Sequence, residues 1–343
     1  MQYTVVGSGA IGGTVGAHMV RAGEDVVFVD ADAAHVQAMN ERGLTIKGFR
    51  ETFTVPARAY LPDDVPGPLE AVVLAVKAQH TEAALRAVAD RLRPDGFVVS
   101  LQNGFCETVI EGIVGRERTV GAFINFGADY LEPGLIHFGG MGAFELGELD
   151  GRRSERVLAL QRAFSPWGPV HVTDNIWGYL WAKMGYANMA FATAMVDADA
   201  GEVIDRYRLL MAELMAEVYD VAAAQGVHPE PFDAIRPEIY HPRGRAEAEI
   251  LASFEPMVHP AIRSEKRRTG VWRDLWVRHR PTEIDYQPGL AAAIGARHGL
   301  AMPLTRRNVE LIHDLEQGRR EIGWENVEEL ERLRRDLAAP TQR

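Results

Sequence analysis

The stretch QYTVVGSGAIGG (residues 2–13) decides the fold of the first half of the chain. A short apolar run is followed by the pattern G-x-G-x-x-G, formed by Gly7, Gly9 and Gly12, and a helical pattern comes next. A second apolar run, EDVVFVD, follows that helix. This order of strand, glycine-rich turn, helix and strand predicts a βαβ unit that binds a dinucleotide.

Each position of the motif requires glycine for a different physical reason. Gly7 permits a tight turn, Gly9 lets the backbone approach a pyrophosphate, and Gly12 lets the helix pack closely on the strand. The amides at the start of the helix then hold the phosphate oxygens. The predicted cofactor-binding loop consists of Gly7, Ser8, Gly9, Ala10, Ile11 and Gly12.

The end of the second strand predicts which dinucleotide is bound. Asp30 ends that strand, and Ala31 and Asp32 follow it, so no arginine stands beside it. A carboxylate there accepts hydrogen bonds from ribose hydroxyls and repels a 2′-phosphate, which favours NAD over NADP. The alternative role for Asp30 is to cap the next helix, although Asp32 is better placed for that.

Two further loops are expected at the same edge of the sheet. Lys77 follows the strand EAVVLAV, and Asn103 follows the strand GFVVSLQ. Both lie beyond the carboxyl ends of predicted parallel strands, where α/β proteins bind ligands. We expect both to contact the cofactor and Asn103 also to contact the substrate. Alternatively, Lys77 is a solvated lysine and Asn103 a plain turn residue.

The remaining pattern predicts two domains. Strands alternate with helices through the first part, which is typical of a doubly wound parallel sheet. Short strands punctuated by glycine in residues 119–147 suggest an antiparallel extension of that sheet. From residue 175 the patterns are helical. The predicted units are a Rossmann domain (1–174), an all-helical domain (175–335) and a tail (336–343).

Composition narrows the class of protein. The chain has 343 residues, a formal charge of −11 and one cysteine, Cys106. The negative charge argues against nucleic acid or an anionic membrane surface as the main partner. A single cysteine allows no disulfide within the chain and suits a reducing compartment. With no signal-peptide pattern at the N-terminus, we expect a cytoplasmic protein.

One lysine stands in an unusually apolar stretch, WAKMGYANMAFATAM (residues 181–195). Lys183 would be costly to bury without a partner. The longer segment of residues 176–196 is about long enough to imitate a membrane span, but a central lysine and the lack of basic flanks argue against one. The open alternatives are a surface lysine on a buried core helix and a lysine placed for acid–base chemistry.

Five segments in order carry a family resemblance: GSGAIGG, VVLAVKAQHTEAAL, SLQNGF, WAKMGYANMAFATA, and RPTEIDYQPG followed by GLAMP. With these segments the chain resembles the ketopantoate (2-dehydropantoate) reductase family over nearly its whole length. The resemblance implies a Rossmann domain joined to a helical domain, with the active site in the cleft between them. It also implies reduction of a 2-oxo acid to a 2-hydroxy acid with a nicotinamide cofactor.

The resemblance also implies roles for individual residues. Lys183 corresponds to the lysine that protonates the ketone oxygen, and Glu283 to the active-site glutamate. Asn103 and Lys77 correspond to the asparagine and the lysine of the two cofactor loops. Glu283 beside Thr282 could instead be an ordinary carboxylate at a helix start.

The sequence departs from the family around the lysine. Ala187 and Phe191 stand where the family usually has two asparagines that face the ligand. The nearby amide is Asn188, a candidate substrate contact, although it lies about 140° around the helix from Lys183. This departure hints at an acid other than ketopantoate. The family also commonly binds NADP through an arginine, where this chain has Asp30.

The rest of the sequence leaves alternatives open for the substrate carboxylate and for the function. The basic cluster of residues 263–280 offers Arg273, Arg278 or Arg280 for a substrate carboxylate, or is simply a solvated surface. The histidines show no metal-ligand spacing, so no metal site is predicted. The alternative functions are a 3-hydroxy acid or opine-type dehydrogenase and a non-catalytic NAD-binding sensor. The helical domain suggests a homodimer.

Overall fold

The chain forms two compact units, Met1–Ile176 and Trp177–Arg343. This computed structural model describes residues 1–49, 51–259 and 268–339. Within these ranges all twelve strands fall in the first unit, and the second unit is built from helices.

The first unit is organised around an eight-stranded sheet. In spatial order its strands are β12 (His171–Val172), β11 (Phe144–Glu148), β8 (Thr119–Ile124), β7 (Leu92–Ser100), β6 (Leu69–Leu74), β1 (Gln2–Val6), β2 (Asp25–Val29) and β5 (Ala59–Tyr60). Six of them, from β8 to β5, run parallel, and β11 pairs antiparallel with β8. The predicted parallel, doubly wound sheet is confirmed.

Five helices accompany this sheet. They are α1 (Ala10–Arg21), α2 (Ala33–Arg42), α3 (Thr81–Ala89), α4 (Cys106–Val114) and α5 (Glu155–Phe164). Alternate residues of the strands belong to two separate cores, because successive side chains of a strand point to opposite faces. Phe28 packs in the core that includes α1 and α5, whereas Val27 and Val29 pack in the core that includes α3 and α4.

The glycine-punctuated segment differs from its prediction. Only β11 and the short β12 extend the main sheet beyond β8, and β8 itself is parallel to β7. The strands β9 (Gly127–Glu132) and β10 (Leu135–Gly140) join β3 (Leu44–Gly48) and β4 (Thr52–Val55) in a second sheet of order β4-β3-β10-β9. Since β10 pairs with β3 across a long stretch of chain, local sequence could not reveal this pairing.

The second unit consists of helices connected by turns. They are α6 (Ile176–Ala194), α7 (Ala200–Arg206), α8 (Arg208–Ala224), α9 (Pro237–Tyr240), α10 (Glu247–Ser253), α11 (Glu255–Val258), α12 (Gly270–Trp276), α13 (Pro288–Arg297), α14 (Pro303–Glu316) and α15 (Trp324–Ala338). Helix α13 begins only at Pro288, after a 3₁₀ turn (Ile284–Tyr286). The predicted tail from 336 begins inside α15, and residues 340–343 lie outside the described residues.

Helix α6, which carries Lys183, is packed closely against α8. A Cβ on Gly185 would lie 2.3 Å from Cε1 of Tyr219, so only glycine fits there. The Tyr219 hydroxyl donates to the carbonyl oxygen of Ala182 at 3.2 Å. In the described ranges, no helix meets the length and hydropathy needed to cross a membrane. The interpretation of this stretch as a core helix is consistent with that packing.

A buried carboxylate joins α8 to the start of α14. Glu217 accepts hydrogen bonds from the Leu304 amide (3.0 Å), the Thr305 amide (2.7 Å) and the Thr305 hydroxyl (2.6 Å). It therefore supplies the capping oxygen atoms that Met302, at the cap position of α14, lacks. Burial raises the pKa of the Glu217 carboxyl, although these hydrogen bonds oppose the shift.

We expect Glu217→Ala to lower the free energy of unfolding by about 2–3 kcal/mol, because it leaves buried amides without an acceptor. The raised pKa also means that the folded state binds the proton more tightly than the unfolded state. The part of its contribution that comes from this pKa shift is therefore fully present below the ordinary glutamate pKa and is lost as pH rises through the raised folded-state pKa. Urea unfolding at a series of pH values measures both effects.

Glu217→Gln isolates the pH effect, because the amide does not titrate. The difference in unfolding free energy between wild type and Glu217→Gln should change with pH above the ordinary glutamate range. Glu213→Gln, at a solvated position on the same helix that pairs with Arg243, serves as the control. A difference that is independent of pH would show that Glu217 has no raised pKa.

Candidate active site

The predicted cofactor residues of the first unit meet at one edge of the main sheet. Strands β1, β2, β6 and β7 run parallel, so their carboxyl ends lie together. The backbone ties these ends to one another: the Gly7 amide donates to the carbonyl oxygen of Val29 (2.8 Å), and the Ala75 amide to that of Val6 (2.8 Å). The order β6-β1-β2 places a topological switch point between β6 and β1. Open α/β sheets bind ligands at such a crevice.

The three motif glycines have different surroundings. Gly7 has a φ of +90°, and a Cβ on it would lie 2.7 Å from the Val76 amide nitrogen. A Cβ on Gly12 would lie 2.2 Å from the carbonyl oxygen of Gly7. By contrast, a Cβ on Gly9 would have no neighbour within 4 Å. The fold itself therefore requires Gly7 and Gly12, whereas Gly9 leaves open space beside the start of α1.

That open space suits a dinucleotide pyrophosphate. Helix α1 begins at Ala10 with Gly9 at its cap position, where no side chain caps the helix, and its first turn has no acidic residue. The first amides of a helix attract anions when no carboxylate occupies them. The residues present thus fit the group that the sequence predicts.

Asp30 holds the glycine-rich loop from the end of β2. Its Oδ2 accepts from the Ser8 amide (2.8 Å) and the Ser8 hydroxyl (3.0 Å), and its Oδ1 accepts from the Asp32 amide (3.0 Å). The alternative capping role for Asp30 is wrong, since Asp32 caps α2 through the amides of Ala34 and His35. Each carboxylate oxygen has two acceptor sites, so only Oδ1 of Asp30 retains one.

Sequence reasoning missed His35, which lies under this loop. Its ring is fully buried, with Nε2 2.9 Å from the Ser8 carbonyl oxygen and Nδ1 2.9 Å from the Gly134 amide nitrogen. Tyr130 packs edge-on against the ring, with centroids 5.0 Å apart, and donates its hydroxyl to Asp32 at 3.0 Å. Burial and this hydrogen bond raise the pKa of Tyr130. No local pattern connects residues so far apart along the chain.

The loops that carry Lys77 and Asn103 are joined by Gln102, which sequence reasoning also missed. The Gln102 side chain is buried, and its Nε2 donates to the Val76 carbonyl oxygen (2.9 Å) and to the Thr81 hydroxyl (2.8 Å). The carbonyl oxygen of Asn103 accepts from the Cys106 thiol at 3.3 Å. Lys77 and Asn103 are both half-buried, which disfavours a fully solvated lysine at this position.

Two predicted catalytic residues lie in the second unit. Lys183 is half-buried on α6, between the buried residues Ala182 and Met184. Glu283 is buried, with 6% of its surface exposed, and immediately precedes the 3₁₀ turn Ile284–Tyr286. Its side chain makes no capping hydrogen bond to that turn, whereas the hydroxyl of the preceding Thr282 accepts from the Ile284 amide at 3.2 Å.

The expectation for Asn188 requires correction. Its side chain is fully buried, and its Nδ2 donates to the Leu214 carbonyl oxygen (2.7 Å) and the Thr305 hydroxyl (2.9 Å). Its Oδ1 accepts from Nδ2 of Asn308 at 2.9 Å. The amide therefore holds α6 against α8 and α14 inside the helical core. Asn188 is therefore not available as a substrate contact.

Two arginines of the basic cluster, Arg278 and Arg280, interact with the buried carboxylate of Asp274. Asp274 is buried, and its Oδ1 accepts from Arg280 (Nε, 2.9 Å) and lies 3.4 Å from NH1 of Arg278. Residues 263–267 of the cluster lie outside the described residues. Among the residues that are described, no group of three or more His, Cys, Asp or Glu side chains could hold a metal ion.

Family models match both units. The model of ketopantoate reductase PanE/ApbA matches residues 3–151, and the model of its C-terminal domain matches residues 175–316. Two of the curated relatives named 2-dehydropantoate 2-reductase match most of this chain. The one from Pyrococcus horikoshii is 28% identical over 311 residues, which is 89% of this chain and 94% of the relative. The one from Streptococcus pyogenes is 24% identical over 323 residues, 91% of this chain and 97% of the relative.

Solved structures show the same fold. The 2-dehydropantoate 2-reductase of Geobacter metallireducens has a TM-score of 0.76 and 25% identity, covering 93% of this chain and all (100%) of that one. A D-mandelate dehydrogenase solved with NADH and anilino(oxo)acetate has a TM-score of 0.79 and 24% identity, covering 93% and 99%. Both similarities extend over the Rossmann and the helical parts.

Proposed function

Because the chain belongs to the ketopantoate reductase family and is an NAD(P)-dependent oxidoreductase of 2-oxo and 2-hydroxy acids, we propose that it uses NADH, with Lys183 as the proton donor. The observation that carries the choice of cofactor is Asp30, whose carboxylate lies beside the glycine-rich loop. The family match does not favour the 3-hydroxy acid or opine-type alternative, nor a non-catalytic sensor.

We propose that the cofactor is held by the backbone amides of the loop from Gly7 to Gly12 and by Asp30. The remaining acceptor site on Oδ1 of Asp30 accepts one ribose hydroxyl. A 2′-phosphate would meet this carboxylate and that of Asp32, and like charges at close range repel. Lys77 and Asn103, on the two neighbouring loops, complete the proposed cofactor contacts, and Asn103 also contacts the substrate.

The bound nicotinamide supplies a hydride to the carbonyl carbon of the acid. In our proposal the Lys183 ammonium donates a proton to the ketone oxygen and stabilises the negative charge that develops there. The buried Glu283 keeps Lys183 charged and oriented, directly or through a water molecule. In the oxidising direction, the neutral lysine accepts the hydroxyl proton of the 2-hydroxy acid.

We further propose that the substrate is an acid other than 2-dehydropantoate, with an apolar side chain. The residues four and eight positions after Lys183 are Ala187 and Phe191, both buried. Asn188 is held in the helical core by Leu214 and Thr305. This part of α6 therefore offers no amide to a hydroxyl group on the substrate, and an unpaired buried polar group is costly.

A panel of 2-oxo acids, each assayed with NADH and with NADPH, tests these proposals together. We expect NADH to be consumed, with a higher kcat/KM for acids with an alkyl or aryl side chain than for 2-dehydropantoate. Preference for 2-dehydropantoate would reject the proposed substrate. A tenfold preference for NADPH would reject the proposed cofactor.

Asp30→Ala tests the cofactor assignment directly. We expect the affinity for NADH to fall about tenfold or more, because the variant loses a ribose contact and the acceptor that orders Ser8. The preference for NADH over NADPH should also decrease, because the repelling carboxylate is gone. Calorimetric titration with both cofactors measures each effect.

Asp25→Ala is the matched control, because Asp25 lies at the opposite end of β2 and pairs with Arg58 on the surface. It should leave both affinities unchanged. Equal affinities of wild type and Asp30→Ala for NADH would reject the assigned role of Asp30.

We also propose a cytoplasmic location and a homodimer. The location rests on the single cysteine, which allows no disulfide within the chain and suits a reducing compartment. Fractionation of cells and sedimentation of the purified protein test the two points separately.

A further inference from the structure

The hydrogen bonds of His35 define its tautomer. The Gly134 backbone amide can only donate, so the His35 Nδ1 that it meets at 2.9 Å carries no hydrogen. The ring proton is therefore on Nε2, which donates to the Ser8 carbonyl oxygen at 2.9 Å. His35 is a neutral, fully buried ring that uses both of its nitrogens.

The hydrogen bond from His35 Nε2 to the Ser8 carbonyl oxygen sets the direction of the next amide in the glycine-rich loop. The peptide unit between Ser8 and Gly9 is planar and trans, so its C=O and N–H point in opposite directions. With the Ser8 carbonyl turned towards His35, the Gly9 N–H points away from the protein interior that contains His35. Gly9 is also the residue with open space where its Cβ would be.

The peptide unit between Gly7 and Ser8 is held by a different side chain, that of Asp30. The Ser8 N–H donates to Asp30 at 2.8 Å, so side chains outside the loop set both peptide units that flank Ser8. Glycine on either side of Ser8 would otherwise leave these peptides free to rotate. Because the two N–H donors are already ordered before the cofactor binds, binding does not have to supply the entropy cost of ordering them.

We propose that His35 is a positioning residue that aims the Gly9 amide at the cofactor pyrophosphate. The proposal rests on the proposed use of NADH and adds a residue on α2 to the binding machinery. It also gives a role to the second sheet, because Gly134 lies in the turn between β9 and β10. Gly134 has a φ of +80°, and a Cβ there would lie 3.2 Å from that of Ala38, so the turn closely approaches α2.

Two amide replacements separate the two hydrogen bonds of His35. In His35→Gln the side-chain amide reaches about as far as Nε2 and can still donate to Ser8. In His35→Asn the amide oxygen lies near the position of Nδ1 and can still accept from Gly134, but the bond to Ser8 is lost. Both variants replace a buried ring with a smaller amide, so their losses in stability should be similar.

We expect His35→Asn to weaken NADH binding about tenfold, the upper range for one neutral hydrogen bond, and His35→Gln to stay within about threefold of wild type. The KM for the 2-oxo acid at saturating NADH should be unchanged in both. Fluorescence titration gives the affinity, and urea unfolding gives the stability of each variant. Tyr130→Phe, which keeps the ring contact with His35, is a further control.

Equal losses of affinity in His35→Asn and His35→Gln would indicate a packing role only and overturn the proposal. Unchanged affinity in His35→Asn would overturn it as well. If wild type binds neither NADH nor NADPH, the proposed function fails instead. Nitrogen-15 spectra of histidine in wild type need no variant: we expect the Nε2–H tautomer for His35, and the Nδ1–H tautomer would also overturn the proposal.

Discussion

Replacing Lys183 with methionine is expected to lower kcat about a thousandfold, while NADH affinity stays within about twofold of wild type. Proton transfer by a placed side chain contributes about 10²–10⁴ to the rate. Methionine keeps an unbranched side chain on α6, so the helix and its packing against Tyr219 should survive. Steady-state and single-turnover assays with the best substrate of the 2-oxo acid panel measure the loss.

Lys183→Arg separates the two proposed roles of this residue, which are proton donation and stabilisation of the negative charge on the ketone oxygen. Arginine keeps the positive charge but does not give up its proton at physiological pH. It should therefore recover part of the electrostatic stabilisation and none of the acid catalysis, leaving kcat well below wild type. Lys47→Met, at an exposed position on β3, is the matched control and should leave kcat unchanged. A kcat for Lys183→Met within about tenfold of wild type would reject Lys183 as the acid.

The parts of the structure that sequence predicted are those with a local signature. The strands β1, β2, β6 and β7 contain continuous apolar runs, since a parallel sheet is buried on both faces. The glycine-rich loop and the cap at Asp32 follow from residue chemistry within a few positions. These signals predicted the edge of the sheet where the cofactor residues meet.

The parts that were missed depend on contacts between distant residues. The tail predicted from residue 336 begins inside α15, which buries few apolar side chains, among them Val327 and Leu330, in a segment dominated by charge, so its apolar pattern is weak. The assignment of Asn188 failed because its partners, Leu214 and Thr305, come from other helices. The role of His35 likewise depends on Gly134, in a different sheet.

Gly12 and Gly9 are expected to respond very differently to the same added methyl group. In Gly12→Ala the new Cβ would overlap the backbone oxygen of Gly7 at 2.2 Å and crowd Val5 at 2.9 Å. The Gly7 oxygen belongs to the backbone, and the side chains of Ala75 and Val5 both lie 2.9 Å from the new Cβ, so little room is left for relaxation. We expect the free energy of unfolding to fall by about 3 kcal/mol, the upper range for overpacking, and NADH binding to be lost as the loop is displaced.

Gly9→Ala should leave the unliganded protein within about 0.5 kcal/mol of wild type, because no atom lies within 4 Å of the new Cβ and its φ of −69° suits alanine. NADH affinity should nevertheless fall about tenfold or more, since the methyl group occupies the space through which the pyrophosphate reaches the helix amides. Gly112→Ala, in α4 and equally uncrowded, is the control and should bind NADH like wild type. Urea unfolding and calorimetric titration of the three variants measure both quantities. If Gly9→Ala binds NADH as wild type does, the open space beside Gly9 is not where the cofactor approaches.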